Sequence, residues 1–115
     1  MKIRIKANSL RYRLTQSDVA KLWSEGFLEE RAEFSGKALI YAILTGNEDT
    51  LSADFIADRI VLNMPKTMID ELYNTERVGF DDFRGPLSLL VEKDFACNDK
   101  VEEDQSDNYP NPLTC

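Results

Sequence analysis

Five cations crowd the start of the chain. Lys2, Arg4, Lys6, Arg11 and Arg13 fall within the first thirteen residues, a stretch that contains no acid. Extended backbone sends successive side chains to opposite faces, so Lys2, Arg4 and Lys6 share one side of a first strand, and Arg11 and Arg13 share one side of the next. Five cations converging across a hairpin suit an anionic group, and arginine in particular offers bidentate contacts to phosphate or carboxylate. The same face has a plainer reading as the solvated side of an amphipathic hairpin, whose lysines and arginines discourage edge pairing. Like charges across two strands repel, so counter-charges belong nearby, and Glu29, Glu30, Glu33 or the acidic C-terminal stretch are the candidates.

That C-terminal stretch holds the other charge cluster, Asp94, Asp99, Glu102, Glu103, Asp104 and Asp107 against a single Lys100. A calcium loop requires ligands at alternating positions and a central glycine, and neither is present, so the cluster reads as a solvated acidic segment. Cys97 and Cys115 have no close cysteine and no histidine to complete a zinc set, because the chain contains no histidine. The same lack leaves Cys97 without the usual base that activates a nucleophilic thiol. The residue types therefore point to no catalytic set, no metal site and no cofactor.

The elements that must position the cations follow from periodicity. Ile3 and Ile5 alternate with Lys2, Arg4 and Lys6, and Leu10, Tyr12 and Leu14 alternate with Arg11 and Arg13; between them Ala7-Asn8-Ser9 is turn-prone, which predicts a β-hairpin over residues 2 to 14. Thr15 followed by Asp18 has the form of a capping box, and Val19, Leu22 and Trp23 form one stripe of a helix over residues 16 to 25, ended by Gly26. Two strands over 27 to 34 and 37 to 45 follow, the second a nearly continuous apolar run expected to be central and covered on both faces. After the polar Gly46-Asn47-Glu48-Asp49-Thr50 the pattern restarts: strand-like segments at 51 to 57 and 59 to 63, a helix opened by Pro65 with Met68, Ile69, Leu72 and Tyr73 as its stripe, then strands at 77 to 81 and 87 to 93.

At an offset of fifty, Leu10 matches Ile60, Tyr12 matches Leu62, Leu14 matches Met64, Val19 matches Ile69, Leu22 matches Leu72 and Trp23 matches Tyr73. This register suggests an internal duplication, although two ββαββ segments share an apolar period in any case. The expected fold is α+β and mainly antiparallel, with duplicated ββαββ halves over 1–46 and 51–94 forming a barrel or strongly curved sheet with two short helices. Trp23 and Tyr73 are expected in the core. Residues 95–115 are expected to form an acidic C-terminal arm without regular structure, for which the basic hairpin is a landing site.

Composition narrows the class of function. The chain has 115 residues, 43% apolar and 30% charged, and a formal net charge of -7, which suits one folded domain and disfavours a nucleic-acid binder that must neutralise phosphates. No apolar run approaches the roughly 20 residues of a membrane span. The opening residues alternate charge with apolar side chains where a secretory leader needs an unbroken apolar stretch, so a cytoplasmic location is expected.

The opening MKIRIKANSLRYRLTQSDV, together with VEKDFAC and EDQSDNYPNP near the end, resembles a family of short bacterial proteins of unknown function. The resemblance spans nearly the whole chain and implies no activity. At the level of fold, eight strands with a basic first strand resemble the triphosphate-tunnel barrels, which implies metal-dependent phosphoanhydride chemistry. That family's first strand reads Glu-x-Glu-x-Lys, and Lys2-Ile3-Arg4-Ile5-Lys6 lacks the acids. The segment from Arg59 to Pro65, leading into a helix and a strand, resembles the swapped-hairpin transcription factors over some twenty residues.

Two functions of different class remain. One is a non-catalytic binding or interaction protein, compatible with a homodimer, whose basic hairpin meets an anionic ligand, a protein partner or its own tail. The other is a phosphoanhydride or phosphoester hydrolase working inside a barrel. An enzyme of that kind needs cations and acids facing one cavity, whereas an interaction surface leaves the cations outside.

Overall fold

The computed structural model describes residues 1–96 and 106–110. Element order follows the sequence pattern: β1 (Lys2–Lys6), β2 (Ser9–Leu14), α1 (Gln16–Glu25), β3 (Phe27–Phe34), β4 (Lys37–Gly46), then β5 (Ser52–Ile56), β6 (Arg59–Pro65), α2 (Lys66–Asn74), β7 (Gly79–Asp82) and β8 (Ser88–Lys93). The order ββαββ thus occurs twice. The turns that close the first hairpin of each repeat correspond as well, with Ala7 at φ 47° and, fifty residues on, Ala57 at φ 53° followed by Asp58 at φ 61°. Left-handed backbone at such positions is what two-residue hairpin turns demand.

The α+β class holds, but the eight strands do not close into a barrel. They form two four-stranded mixed sheets, ordered β1-β2-β8-β7 and β3-β4-β6-β5. Each sheet takes one hairpin from each repeat, joined in the middle by a parallel pair, β2 with β8 and β4 with β6. The remaining pairings, β1–β2, β3–β4, β5–β6 and β7–β8, are antiparallel hairpins. The expectation of a barrel fails because pairing between the repeats is spent at the sheet centres, leaving β1, β7, β3 and β5 as edges.

The inward faces of the two sheets meet in a single core. Leu10, Tyr12, Leu14, Leu89 and Val91 come from the first sheet, Leu28, Ile43, Ile60, Leu62 and Met64 from the second, and Val19, Leu22, Ile69 and Leu72 from the helices. All five apolar matches at offset fifty between Leu10 and Leu72 are therefore buried pairs. Strand β4 is central as expected, and both faces are covered at its middle, where Ala42 and Ile43 are buried, while Leu44 beyond them is exposed.

Both helices lie at the end where β2 and β6 finish. The capping box at Thr15 is complete, with the Asp18 amide donating to the Thr15 hydroxyl and the Thr15 amide donating to the Asp18 carboxylate. Gly26, at φ 78°, ends α1, and its amide donates to the Leu22 carbonyl. Helix α2 begins after Pro65, which closes β6 and caps the helix without a side-chain hydrogen bond. Trp23 and Tyr73 depart from the expected core role: both are exposed and stack on each other. Each lies one residue past a buried leucine, at the rim of the helix stripe where the two helices meet.

Residues 106–110 return to the domain. The Gln16 amide donates to the Asp107 carbonyl, the Tyr109 amide to the Asp94 carbonyl, and the Ala96 amide to the Tyr109 carbonyl. This segment meets the start of α1 and the end of β8. Asp99, Glu102, Glu103, Asp104, Cys97 and Cys115, singled out in the sequence, lie outside the described residues.

Candidate anion-binding site

Antiparallel register brings the five cations together as the alternation requires. Lys2 stands opposite Arg13 and Arg4 opposite Arg11, with Lys6 opposite Ser9 at the turn. Their neighbours Leu10, Tyr12 and Leu14 are buried, so the cations occupy the outer face of the sheet. Strand β8 adds the next column, since Arg11 pairs with Leu90 and Arg13 with Glu92.

The cations fall into two groups. Glu92 Oε1 accepts from Arg13 Nε at 3.2 Å and lies 3.4 Å from Arg11 Nε, and Lys2 Nζ stands 3.0 Å from Asp94 Oδ2. By contrast, among the described residues no carboxylate lies within 4.0 Å of Arg4 or Lys6. Arg4, Lys6, Ser9 and Arg11 together line a cleft of about 140 Å³ at the tip of the hairpin. Three cationic side chains and a hydroxyl, all of them donors, face one small space.

Of the expected counter-charges, Asp94 of the acidic stretch stands beside Lys2, whereas the three glutamates lie elsewhere. Glu29 pairs with Arg59, Glu33 with Arg31, and Glu30 accepts from the Tyr41 hydroxyl at 3.1 Å. All three glutamates belong to β3, which is in the other sheet. Glu92 was missed by sequence reasoning because it reaches the arginines only through the parallel β2–β8 pair. The signal present in the sequence was the alternation of Leu89, Val91 and Lys93 with Leu90 and Glu92, which gives β8 one outward acid.

Lys93 shows how strictly the other face is closed. It is buried, its Nζ donates to the Thr75 carbonyl at 3.0 Å, and it lies 4.8 Å from the Tyr109 ring centroid. Burial pushes its ammonium below the ordinary lysine range, with Glu76 acting in the opposite direction. On the outer face, by contrast, Arg4 and Lys6 are exposed and Arg11 and Arg13 half-buried.

The triphosphate-tunnel likeness fares poorly against this geometry, because its chemistry needs the cations inside a closed barrel. Among the described residues no group of three or more Asp, Glu, Cys or His side chains is arranged to hold a metal ion. No described helix is long and apolar enough to cross a membrane.

Comparison with known proteins returned no match among the curated proteins and none among the solved structures. One family model does match: residues 1–113 fit the family of unknown function DUF7009, and the chain belongs to that family.

Proposed function

We propose that this protein is a non-catalytic, cytoplasmic binding protein that holds an anionic group on the outer face of the β1–β2 hairpin. The observation that carries the reading is the pairing of Arg4 with Arg11 beside Lys6, with no carboxylate near Arg4 or Lys6 among the described residues and a cleft of about 140 Å³ between the side chains. Like charges directly opposite each other destabilise a sheet, and an anion seated between them removes that cost. Arg13 and Lys2, held by Glu92 and Asp94, frame the site; Arg4 and Lys6 supply its main contacts, joined by Arg11, which shares Glu92 with Arg13. The repeated element order and the repeated left-handed turns support an internal duplication, in which the opening hairpin of the first repeat carries five cations and that of the second carries Arg59, paired with Glu29.

A thermal-shift series at low ionic strength with tripolyphosphate tests the reading. At about 100 times its dissociation constant a ligand stabilises by roughly 2.7 kcal/mol, a shift of several degrees. Arg4→Glu is expected to abolish the shift, whereas Arg13→Glu, outside the cleft, is expected to weaken it less. A shift that survives Arg4→Glu would overturn the site.

A further inference from the structure

The two sheets do not fill the space between them at the end that carries the hairpin turns. Ile5 stands opposite Leu10 and Phe55 opposite Ile60, and both partners are buried, so Ile5 and Phe55 belong to the inward faces. Even so, Ile5 is 56% exposed and Phe55 68% exposed. The two occupy equivalent places in the two repeats, fifty residues apart. Between them opens a cleft of about 380 Å³ lined mainly by Ile5, Leu10, Leu39, Phe55, Ile60 and Leu87. A concave, apolar opening of this size is of the order that encloses a small ligand, and exposed side chains of this kind on an inward face cost free energy unless something covers them.

The apolar cleft and the cationic cleft are two faces of one hairpin. Between residues 4 and 11, Arg4, Lys6, Ser9 and Arg11 line the outer cleft, while Ile5, Ala7, Asn8 and Leu10 line the inner one. Strand β1 is an edge strand, so only its free edge separates the two spaces. Lys6 ends that strand at the lip, immediately before the left-handed Ala7.

Resting on the anion-binding reading, we infer that the ligand is a monomeric anionic amphiphile, a long-chain carboxylate. Its chain fills the cleft between the sheets and its head group turns over the β1 edge to Lys6, Arg4 and Arg11. Charge decides the occupant: apart from Asn8 and Asp54 the lining of the cleft is apolar, and Arg4 and Lys6 at its lip, near which no carboxylate stands among the described residues, select a ligand that is apolar at one end and negative at the other.

Calorimetric titration of the full chain with dodecanoate below its micelle concentration, alongside octanoate, dodecanol and tripolyphosphate, tests the inference. Affinity is expected to rise with chain length, by up to about fourfold per methylene buried, and to exceed that of dodecanol at least tenfold. Phe55→Ser and, independently, Ile5→Ser are expected to weaken dodecanoate at least tenfold and leave tripolyphosphate unchanged. Lys6→Glu is expected to weaken both. Both apolar positions are exposed, so these substitutions leave the core intact, which circular dichroism verifies. Tripolyphosphate binding without dodecanoate binding would overturn the amphiphile and leave the anion site standing; binding of neither would overturn both. Equal affinity for dodecanol, or dodecanoate binding indifferent to Phe55→Ser and Ile5→Ser, would also overturn it. So would capture only by phosphatidylglycerol vesicles, or a dimer broken by Phe55→Ser in the absence of dodecanoate binding.

Discussion

Trp23 and Tyr73, fifty residues apart and at matching places on the two helices, stack with ring centroids 4.4 Å apart and planes 10° from parallel. An offset stack of aromatic rings adds about 0.5–1.5 kcal/mol beyond the area it buries. Here the pair joins the two repeats at the helical end. Truncating either ring to alanine is expected to destabilise the protein by about 1–2 kcal/mol, and a double-mutant cycle should return a coupling of about 0.5–1.5 kcal/mol. Trp23 is the chain's one tryptophan, so denaturant curves for the Tyr73 variant can be followed by its fluorescence and those for the Trp23 variants by circular dichroism. Strict additivity of the two truncations would mean that the stack contributes nothing of its own.

The Tyr12 hydroxyl is buried and, among the described residues, has no hydrogen-bond partner. An unsatisfied buried hydroxyl costs about 1–3 kcal/mol, so Tyr12→Phe is expected to raise stability by roughly 1–2 kcal/mol, read as a higher denaturant midpoint at unchanged slope. A lower midpoint would show that the hydroxyl is paired.

The same group sets an alkaline limit. Burial, and secondarily the neighbouring Tyr41, push the Tyr12 phenol far above its ordinary value. A raised folded pKa means that the native state keeps its proton after the unfolded chain has lost it, so stability is fully present below about pH 10 and falls as pH rises beyond it. Tyr12→Phe should therefore flatten the decline in melting temperature above pH 10. An unchanged decline would assign it to Tyr41 and Tyr109, whose phenols burial also raises.

Asp107 fastens the returning segment to α1, its Oδ1 accepting from the Ser17 hydroxyl at 2.9 Å. Hydrogen bonds from Thr15 and Ser17 hold its carboxyl below the ordinary aspartate range. A lowered folded pKa gives a contribution present above about pH 3.9 and lost as pH falls through the lowered value. Asp107→Asn is expected to accelerate hydrogen exchange at the Tyr109 and Ala96 amides at neutral pH while leaving the amides of β4 and β6 protected. Equal protection in the variant would show that the backbone bonds alone hold the segment.

Because each sheet is completed by the other repeat, neither half has a sheet of its own. Residues 1–46 alone leave β2 and β4 without their parallel partners and the inward faces of two hairpins in water, and an isolated hairpin is marginal. Each half, expressed separately as a monomer, is expected to show an unfolded far-ultraviolet dichroism spectrum, with sheet signal restored on mixing. A cooperatively folded monomeric half would contradict the exchange of hairpins between sheets.

Much of the architecture was legible along the chain. Alternation put Ile3, Leu10, Tyr12 and Leu14 on one face of the hairpin and the five cations on the other, because a strand's period of two separates the side chains into two sets; which set points inward was decided by the packing. Thr15, Asp18 and Gly26 marked the ends of α1 through local hydrogen bonds and one left-handed residue, neither of which needs a distant partner. The fifty-residue register was legible for the same reason, since apolar period survives without knowledge of what covers it.

What the tertiary structure decided is every relationship between segments that periodicity leaves blank. A strand's pattern names its buried face but not its neighbour, so the parallel β2–β8 and β4–β6 pairs, the two sheets in place of a barrel, and Glu92 rather than Glu29 or Glu33 beside the arginines came from packing alone. Trp23 lies on the apolar stripe of α1, and only the approach of α2 left it at the rim, stacked on Tyr73. Likewise Ile5 and Phe55 read as core residues in any strand pattern; that the sheets leave them uncovered at the turn end depends on how the two sheets meet, which no single segment encodes.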